Sequence, residues 1–474
     1  MNKPIVGLFG LVVLLFGLLI VFTSRWTVFE AEALRENTAN RRLLLAEERI
    51  RRGRITARSG RVLARSRSLP GERFVRTYPT GDVFAHAVGY SYTTTGRAGL
   101  EREYNDPLTG RRTELIGVVD SLLGEDRVGD RLATSLNPEG QRVALEGLAG
   151  RPGAVVALDV STGEVLVMAS TPSFDPDRVD TPATFAELNR DSSAPLLNRA
   201  TQGLYPPGST MKVVTAAAAL DTGAYTPTST VDGRNGKIVS GVPLNNFGGA
   251  SYGFITLTDA LTQSVNTVWA EVGVELGRDT MQDYMERFGF YADPPLDYPD
   301  AQMTPSGVRK ERGTLVPPTS RRVDLGRMAI GQGDLFATPL QMASVAQTVA
   351  NGGARLEPHL GRRIIDPDGR TVDEIEVKVA ERVMSEDSAS ALASMMTRVV
   401  EEGTGTAAAL EGIDVAGKTG TAEIDIARRI NYPWFIGFTP DVAIAVALER
   451  IPGGTGGTVA APIASAVLET LGGR

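Results

Sequence analysis

At 474 residues the chain exceeds one ordinary domain, and two or three are expected. It has no cysteine, which excludes thiol catalysis, disulfides and cysteine metal sites, and its two histidines, His86 and His359, sit in loop-like stretches that offer little to a Ser-His-Asp triad or a histidine-bound metal. The net charge of -7 argues against a nucleic-acid binder, since a protein that neutralises phosphates usually presents a basic balance.

The first element is an uncharged run from Pro4 to Thr23, 20 residues bounded by Lys3 and Arg25. As a helix it would rise about 1.5 Å per residue and cover roughly 30 Å, the thickness of the hydrocarbon core of a bilayer. A cleaved signal peptide would be shorter in its apolar part and end in a small-x-small site, which Thr23-Ser24-Arg25-Trp26 does not supply. A retained single-pass anchor over residues 1–24 is expected, with Trp26 at the membrane interface. Arg25, Arg35, Arg41 and Arg42 follow the span, so the positive-inside rule alone would keep the body in the cytoplasm, but long domains translocate regardless of such charge. Orientation is therefore left to the chemistry.

Residues 25–67 hold 12 arginines against 5 glutamates, a basic face that is either solvated or drawn to anionic lipid. Glu30 to Arg52 has few breakers and predicts a helix, and Gly53 to Ala64 predicts a hairpin turning at Ser59-Gly60. Short strands and turns through Tyr78-Pro79, Val88-Gly89-Tyr90 and Gly99-Leu100-Glu101 make residues 25–130 a small, extended, β-rich module.

A compact domain over residues 131–474 follows. Leu136-Asn137-Pro138-Glu139-Gly140 caps a helix running through Leu148, and the apolar runs Ala154 to Asp159 and Val165 to Ser170 form a hairpin across Ser161-Thr162-Gly163-Glu164. Trp434 to Phe438 and Val442 to Leu448 form a second hairpin across Thr439-Pro440-Asp441, and Ala460 to Leu471 closes the domain as a helix. Strands at both ends with helical sequence between them predict a mixed α/β (α+β) fold, whose mostly antiparallel sheet is joined across a large helical insertion.

Inside that insertion, Tyr205-Pro206-Pro207-Gly208 is a rigid turn that feeds Ser209-Thr210-Met211-Lys212 into the apolar run Val213 to Leu220. The prolines and the glycine cannot continue a preceding helix, so Ser209 is placed at the N-terminus of a buried helix that Gly223 stops. Residues three apart face the same way, and Lys212 is expected to direct its amine toward the Ser209 hydroxyl as a base. The first helical N–H groups could donate to an oxyanion beside Ser209. Ser-x-x-Lys alone also describes a solvated helix start. Lysine is scarce, however, with six among 49 basic residues, and two companion motifs follow. Ser264-Val265-Asn266 lies 55 residues past Ser209. Ala416-Gly417-Lys418-Thr419-Gly420-Thr421-Ala422-Glu423 alternates small and polar residues as an edge strand does, with glycines that let a ligand backbone approach and a lysine and threonines that can hold a carboxylate.

Ser-x-x-Lys, Ser-x-Asn and Lys-Thr-Gly in this order resemble the penicillin-binding and serine β-lactamase superfamily. Together with Arg54-Ile55-Thr56, Gly99-Leu100-Glu101, Gly153-Ala154-Val155-Val156-Ala157, Tyr205-Pro206-Pro207-Gly208 and Gly331-Gln332-Gly333, they resemble a class B penicillin-binding protein of the short A type over nearly the whole chain. One departure is that Arg54 to Gly60 only loosely follows the family's Arg-Gly-x-Ile-x-Asp-Arg-x-Gly pattern. The resemblance implies a membrane anchor, a non-catalytic pedestal, and a transpeptidase domain with a mostly antiparallel five-stranded sheet flanked by helices. It implies Ser209 as nucleophile, Lys212 as base and Ser264 as proton relay. Asn266 would hold the donor amide, Lys418 and Thr419 would bind the terminal carboxylate, Gly420 would belong to the same substrate-binding stretch, and the N–H groups of Ser209 and Thr421 would form the oxyanion hole. No metal or cofactor is implied. The expected partners are D-Ala-D-Ala stem peptides, β-lactams and a polytopic glycosyltransferase of the shape, elongation, division and sporulation family, met by an extracytoplasmic catalytic domain at the cell membrane. The other readings of the same motifs are a D,D-carboxypeptidase or β-lactamase-type hydrolase, and a non-catalytic β-lactam sensor or scaffold.

Overall fold

The computed structural model describes residues 3–25, 48–71, 73–110, 128–425 and 427–472. Trp26 and residues 30–47 of the expected helix lie outside them. Lys3–Ser24 forms one helix, whose stretch Val6–Ser24 has a mean hydropathy of 2.8 and is long and apolar enough to cross a membrane. None of that stretch is buried against protein, as a lipid-facing helix requires.

The pedestal sheet runs in the order Thr371–Glu374, Gly361–Ile365, Arg131–Thr134, Ile55–Thr56, Val62–Leu69, Arg73–Thr77. The expected hairpin is present, with Ile55 paired to Ala64 and Gly60 at φ 82° in the turn. Two strands come from beyond residue 360, where Ile364 pairs with Leu132. Three stretches depart from the expectation of strands, turns or helix. Glu48 to Arg52 is not helical; Arg51 instead bridges Val128, and Gly53 packs so closely that a Cβ would lie 1.8 Å from Asp130 O. Ala85–Val88 and Gly99–Glu103 are short helices. Gly89 and Gly99 allow this, since a Cβ on Gly89 would lie 1.9 Å from Ala98 O.

The helix at Gly99 delivers Glu101 into the core, where it accepts from Arg52 Nε at 2.6 Å and Arg76 Nε at 2.5 Å. Burial raises its pKa, but the Arg76 and Arg52 charges and their hydrogen bonds outweigh that effect and hold Glu101 below the ordinary carboxylate range. Arg52 and Gly53 also extend the pedestal match, because Arg52-Gly53-Arg54-Ile55-Thr56-Ala57-Arg58-Ser59-Gly60 fits the family pattern everywhere except Ala57. Glu101→Gln would leave two buried guanidiniums without a counter-charge, a loss of about 3–5 kcal/mol for a broken buried pair. Calorimetry should show the unfolding transition several degrees lower, and an unchanged transition would refute this account.

The second large sheet runs Ala416–Asp425, Ile430–Phe438, Val442–Leu448, Gly153–Asp159, Val165–Thr171, every pair antiparallel, with two-residue Ile451–Pro452 added beside Ile430–Phe438. The expected five strands are there. Alternation decides which side each residue serves. Val155 and Ala157 join Leu148, Ile463 and Leu468 of the helices Pro138–Leu148 and Ala461–Gly472, whereas Val156 and Leu158 join Val345 and Val349 of Pro339–Ala350. With both faces covered, Gly153–Asp159 and Val442–Leu448 are buried throughout, which is why they read as unbroken apolar runs. Asn137 caps its helix by accepting from Glu139 N–H and Gly140 N–H. Strand Ala416–Asp425 is left at the sheet edge, as its composition predicted.

Candidate active site

Four segments distant in sequence converge at that edge, and glycines make the convergence possible. Gly208 adopts φ 53° and its N–H donates to Gly331 O at 3.0 Å. A Cβ on Gly331 would lie 2.0 Å from Gly208 O, and one on Gly420 would lie 2.7 Å from Pro207 O. The serine turn is thereby pressed between the Gly331-Gln332-Gly333 loop and the edge strand.

That turn, Gly208–Met211, is 3-10 helix and runs directly into the α-helix Lys212–Asp221, whose residues 212–220 are all buried. Its approach is pinned by Tyr205, which donates from its hydroxyl to Glu449 Oε1 at 2.7 Å while its ring packs on Tyr432 and Trp434. Ser209 is partly exposed, and its hydroxyl makes no hydrogen bond among the described residues.

Lys212 is fully buried. Its Nζ lies 2.7 Å from both Ser264 O and Asn266 Oδ1 and 3.1 Å from Ser264 Oγ. The resting amine is thus turned to the Ser264-Val265-Asn266 junction and not to Ser209, because two carbonyl-type acceptors there outbid a single hydroxyl. Lys418, equally buried, donates to Ser264 Oγ and to Thr419 O, each at 2.9 Å. One hydroxyl is shared by two lysine amines.

Ser264 holds φ 57°, a left-handed conformation that costs a serine about 1–3 kcal/mol. The cost is met by its surroundings: Ser264 N–H bonds Leu261 O, Val265 N–H bonds Ala260 O, and the helices Leu257–Thr262 and Asn266–Arg287 fix the chain on either side.

Burial disfavours charge on both amines, and Lys418 adds like-charge repulsion at Lys212. Lys212 therefore titrates well below an ordinary lysine, and Lys418 is brought down to about 7. Lys237 and Lys310 have carboxylate partners, whereas among the described residues Lys212 and Lys418 have none. A neutral amine has two N–H bonds and one lone pair. At Lys212 the two shortest contacts go to oxygens that only accept, so both N–H bonds are committed and the lone pair is left for a hydroxyl proton.

The remaining motif residues line the same region. Asn266 Nδ2 donates to Asn245 O at 3.1 Å. Thr419 Oγ1 is 2.6 Å from Thr404 Oγ1, and Thr421 Oγ1 accepts from Gly456 N–H at 3.1 Å. Thr421 stands opposite Pro433, which has no N–H to give the ladder. Sequence reasoning missed Thr404, Asn245 and Glu449. Only Thr404 had a signal, the Gly403-Thr404-Gly405-Thr406 turn; the others are single polar residues in unremarkable stretches. His86 and His359 are buried, with ring nitrogens facing Pro172 O, and Gly361 O and Thr162 O, respectively. Among the described residues no group of three or more His, Asp or Glu side chains could hold a metal ion.

A partly exposed serine three residues before a buried lysine that shares one hydroxyl with a second buried lysine, beside the edge strand of an antiparallel sheet, defines a class of serine acyl-transfer proteins. The model of the penicillin binding protein transpeptidase domain matches residues 153–469, and that of the penicillin binding protein A dimerisation domain matches residues 52–132. The chain belongs to the penicillin-binding protein transpeptidase family, as the motifs implied. Among its relatives, the peptidoglycan D,D-transpeptidase PbpA of Mycolicibacterium smegmatis is 34% identical over 484 residues, 96% of each chain. PbpA of Mycobacterium tuberculosis is 34% identical over 501 residues, 99% of each. The structure of penicillin-binding protein A from M. tuberculosis as a ceftriaxone acyl-enzyme complex matches with a TM-score of 0.81 and 33% identity, covering 90% of this chain and 99% of that one.

Proposed function

We propose that the chain is a serine peptidoglycan D,D-transpeptidase of the penicillin-binding protein A type, and that β-lactams acylate it. The observation that carries the residue roles is Ser264 Oγ held within 3.1 Å of both buried amines, one of them on Lys212, three residues after Ser209, whose hydroxyl makes no hydrogen bond among the described residues.

Ser209 Oγ attacks the carbonyl carbon between the two D-Ala residues of the donor peptide, and its proton passes to the lone pair of Lys212. The N–H groups of Ser209 and Thr421 stabilise the oxyanion. The C–N bond then breaks. The proton moves from Lys212 through Ser264 Oγ to the departing amine, leaving the acyl group on Ser209 as an ester. An acceptor amine attacks that ester, loses a proton by the reverse route, and takes the acyl group as the Ser209 C–O bond breaks. Asn266 holds the donor amide, Lys418 and Thr419 bind the terminal carboxylate, for which charged Lys418 supplies the attraction, and Gly420 lies between Thr419 and Thr421 on the same substrate-binding strand. Residues 1–24 act as the anchor, 25–130 as the pedestal and 131–474 as the catalytic domain, which lends the strands Arg131–Thr134, Gly361–Ile365 and Thr371–Glu374 to the pedestal sheet. The catalytic domain lies outside the cell membrane, where this substrate is, and the anchor and pedestal engage a polytopic glycosyltransferase of the shape, elongation, division and sporulation family.

The test is to incubate the purified protein with a stem-peptide thioester and an acceptor amine. Amide product should exceed hydrolysed acid, and hydrolysis alone would replace transpeptidation with a carboxypeptidase reading. A reporter fused after residue 474 should be active only outside the cytoplasm; activity inside would overturn the orientation.

A further inference from the structure

The pedestal contains a second feature that the acyl-transfer chemistry does not use. Glu101 carries one negative charge, yet two buried guanidiniums, Arg52 and Arg76, converge on it. Arg52 is fully engaged: Nε and Nη2 donate to Glu101 Oε2 and O, and Nη1 donates to Asn105 Oδ1. Arg76 is not. Its Nε donates to Glu101 Oε1 and its Nη1 to Arg52 O, but its buried Nη2 has no partner among the described residues, although the side chain is only 2% exposed.

An excess positive charge and an unpaired donor in a desolvated core are both costly, and each calls for an acceptor. A cavity of about 110 Å³ adjoins them, lined by Arg52 and Arg76 together with Ser66, Ser91, Arg97 and Thr109. Ser66 donates to Arg52 O, and Thr109 to Asn105 O. Ser91 Oγ accepts from Arg97 Nε at 3.2 Å, which leaves its own proton free to donate. Among the described residues the one carboxylate on the cavity wall, Glu48, accepts from Thr93 Oγ1 at 2.9 Å. The wall therefore offers donors, and the cavity suits one small group.

We propose that this pedestal cavity binds a phosphate-type oxyanion, held by Arg76 Nη2 and Ser91 Oγ–H, which supplies the counter-charge that Glu101 alone does not. The oxyanion is free phosphate or the phosphate of an anionic lipid headgroup, since the pedestal belongs to a chain that carries a membrane-length helix.

The probe is inorganic phosphate, added to the detergent-solubilised full chain and compared with sodium chloride at equal ionic strength. A ligand that binds only the folded state raises the melting temperature with saturation, here by several degrees. Arg76→Gln removes the unpaired donor and the excess charge, and should abolish the response. Ser91→Leu fills the cavity while leaving the Arg52–Glu101–Arg76 cluster intact, so it keeps the test sound if Arg76→Gln fails to fold. Penicillin labelling of Ser91→Leu at wild-type rate confirms that the catalytic domain is unaffected. A parallel arm replaces phosphate with phosphatidylglycerol vesicles. A saturable response to phosphate assigns the free anion, and a response to the vesicles alone, lost in Ser91→Leu, assigns the headgroup. If neither exceeds chloride, or if Ser91→Leu responds like wild type, the proposal is overturned.

Discussion

Ser209→Ala should abolish covalent labelling by a fluorescent penicillin. The hydroxyl of Ser209 is partly exposed and hydrogen-bonded to nothing among the described residues, so it is free to attack, and no other serine in the site matches that state. Ser264 Oγ is committed to two lysines, and its backbone is locked in a left-handed turn. The expected change is complete loss of the acyl-enzyme rather than a slower rate, because no other atom can form the ester. Fold should be retained, since the alanine removes one solvent-facing oxygen from a turn held by Gly208, Gly331 and Tyr205. Intact-mass measurement reads the result: wild type gains the mass of the opened antibiotic, and the variant gains none. A labelled Ser209→Ala protein, with the label mapped to another residue, would remove Ser209 from the mechanism.

The second large effect belongs to Lys212→Arg. A lysine with the ordinary pKa near 10.4 is neutral in only about one molecule in a few thousand at pH 7. Burial, reinforced by Lys418, shifts Lys212 well below that range and makes the neutral form available. Arginine stays charged in proteins and cannot take the proton of Ser209. Loss of a positioned general base costs about 10²–10⁴-fold, and acylation should fall within that range. Retention of activity within about tenfold of wild type would remove the general-base role.

The pH profile gives the sign independently. Acylation rises with pH as Lys212 loses its proton, with the rising limb far below the range of free lysine. In the proposed carboxylate-binding role Lys418 acts in the opposite sense, because only its charged form would attract the substrate carboxylate and burial brings it to about 7. The second-order acylation rate should therefore fall again as pH climbs above that value, producing a bell. The two amines share Ser264 Oγ, so the limbs belong to the pair. Lys418→Arg keeps its charge, and the descending limb should disappear while the rising limb remains. A descending limb unchanged in Lys418→Arg would assign it to another group.

Much of the site was legible because each motif is local. The Pro-Pro-Gly turn before Ser209, the apolar run after Lys212 and the small-polar alternation around Lys418 each constrain a few consecutive residues, and local constraints are written into consecutive letters. Burial of the Lys212 side chain was also legible, because the apolar run Val213 to Leu220 marks a buried helix. The direction of the Lys212 amine was not legible. It is decided by Ser264 O and Asn266 Oδ1, more than 50 residues away. The short helix at Gly99 was read as a strand or turn for a similar reason: Glu101 goes inward because Arg52 and Arg76 are already there.

By itself the sequence determined the anchor-length helix, the hairpins at the two ends of the catalytic domain, and the order of the three motifs, since hydrophobic period, turn residues and spacing are properties of short stretches. Only the tertiary structure decided that Ser264 Oγ bridges Lys212 and Lys418, that Thr404 backs Thr419, that Glu449 anchors Tyr205, and that strands Gly361–Ile365 and Thr371–Glu374 complete the pedestal sheet. Each of these joins residues far apart in the chain. Such contacts are selected by how packed helices and strands fill space around one another, which no local pattern encodes.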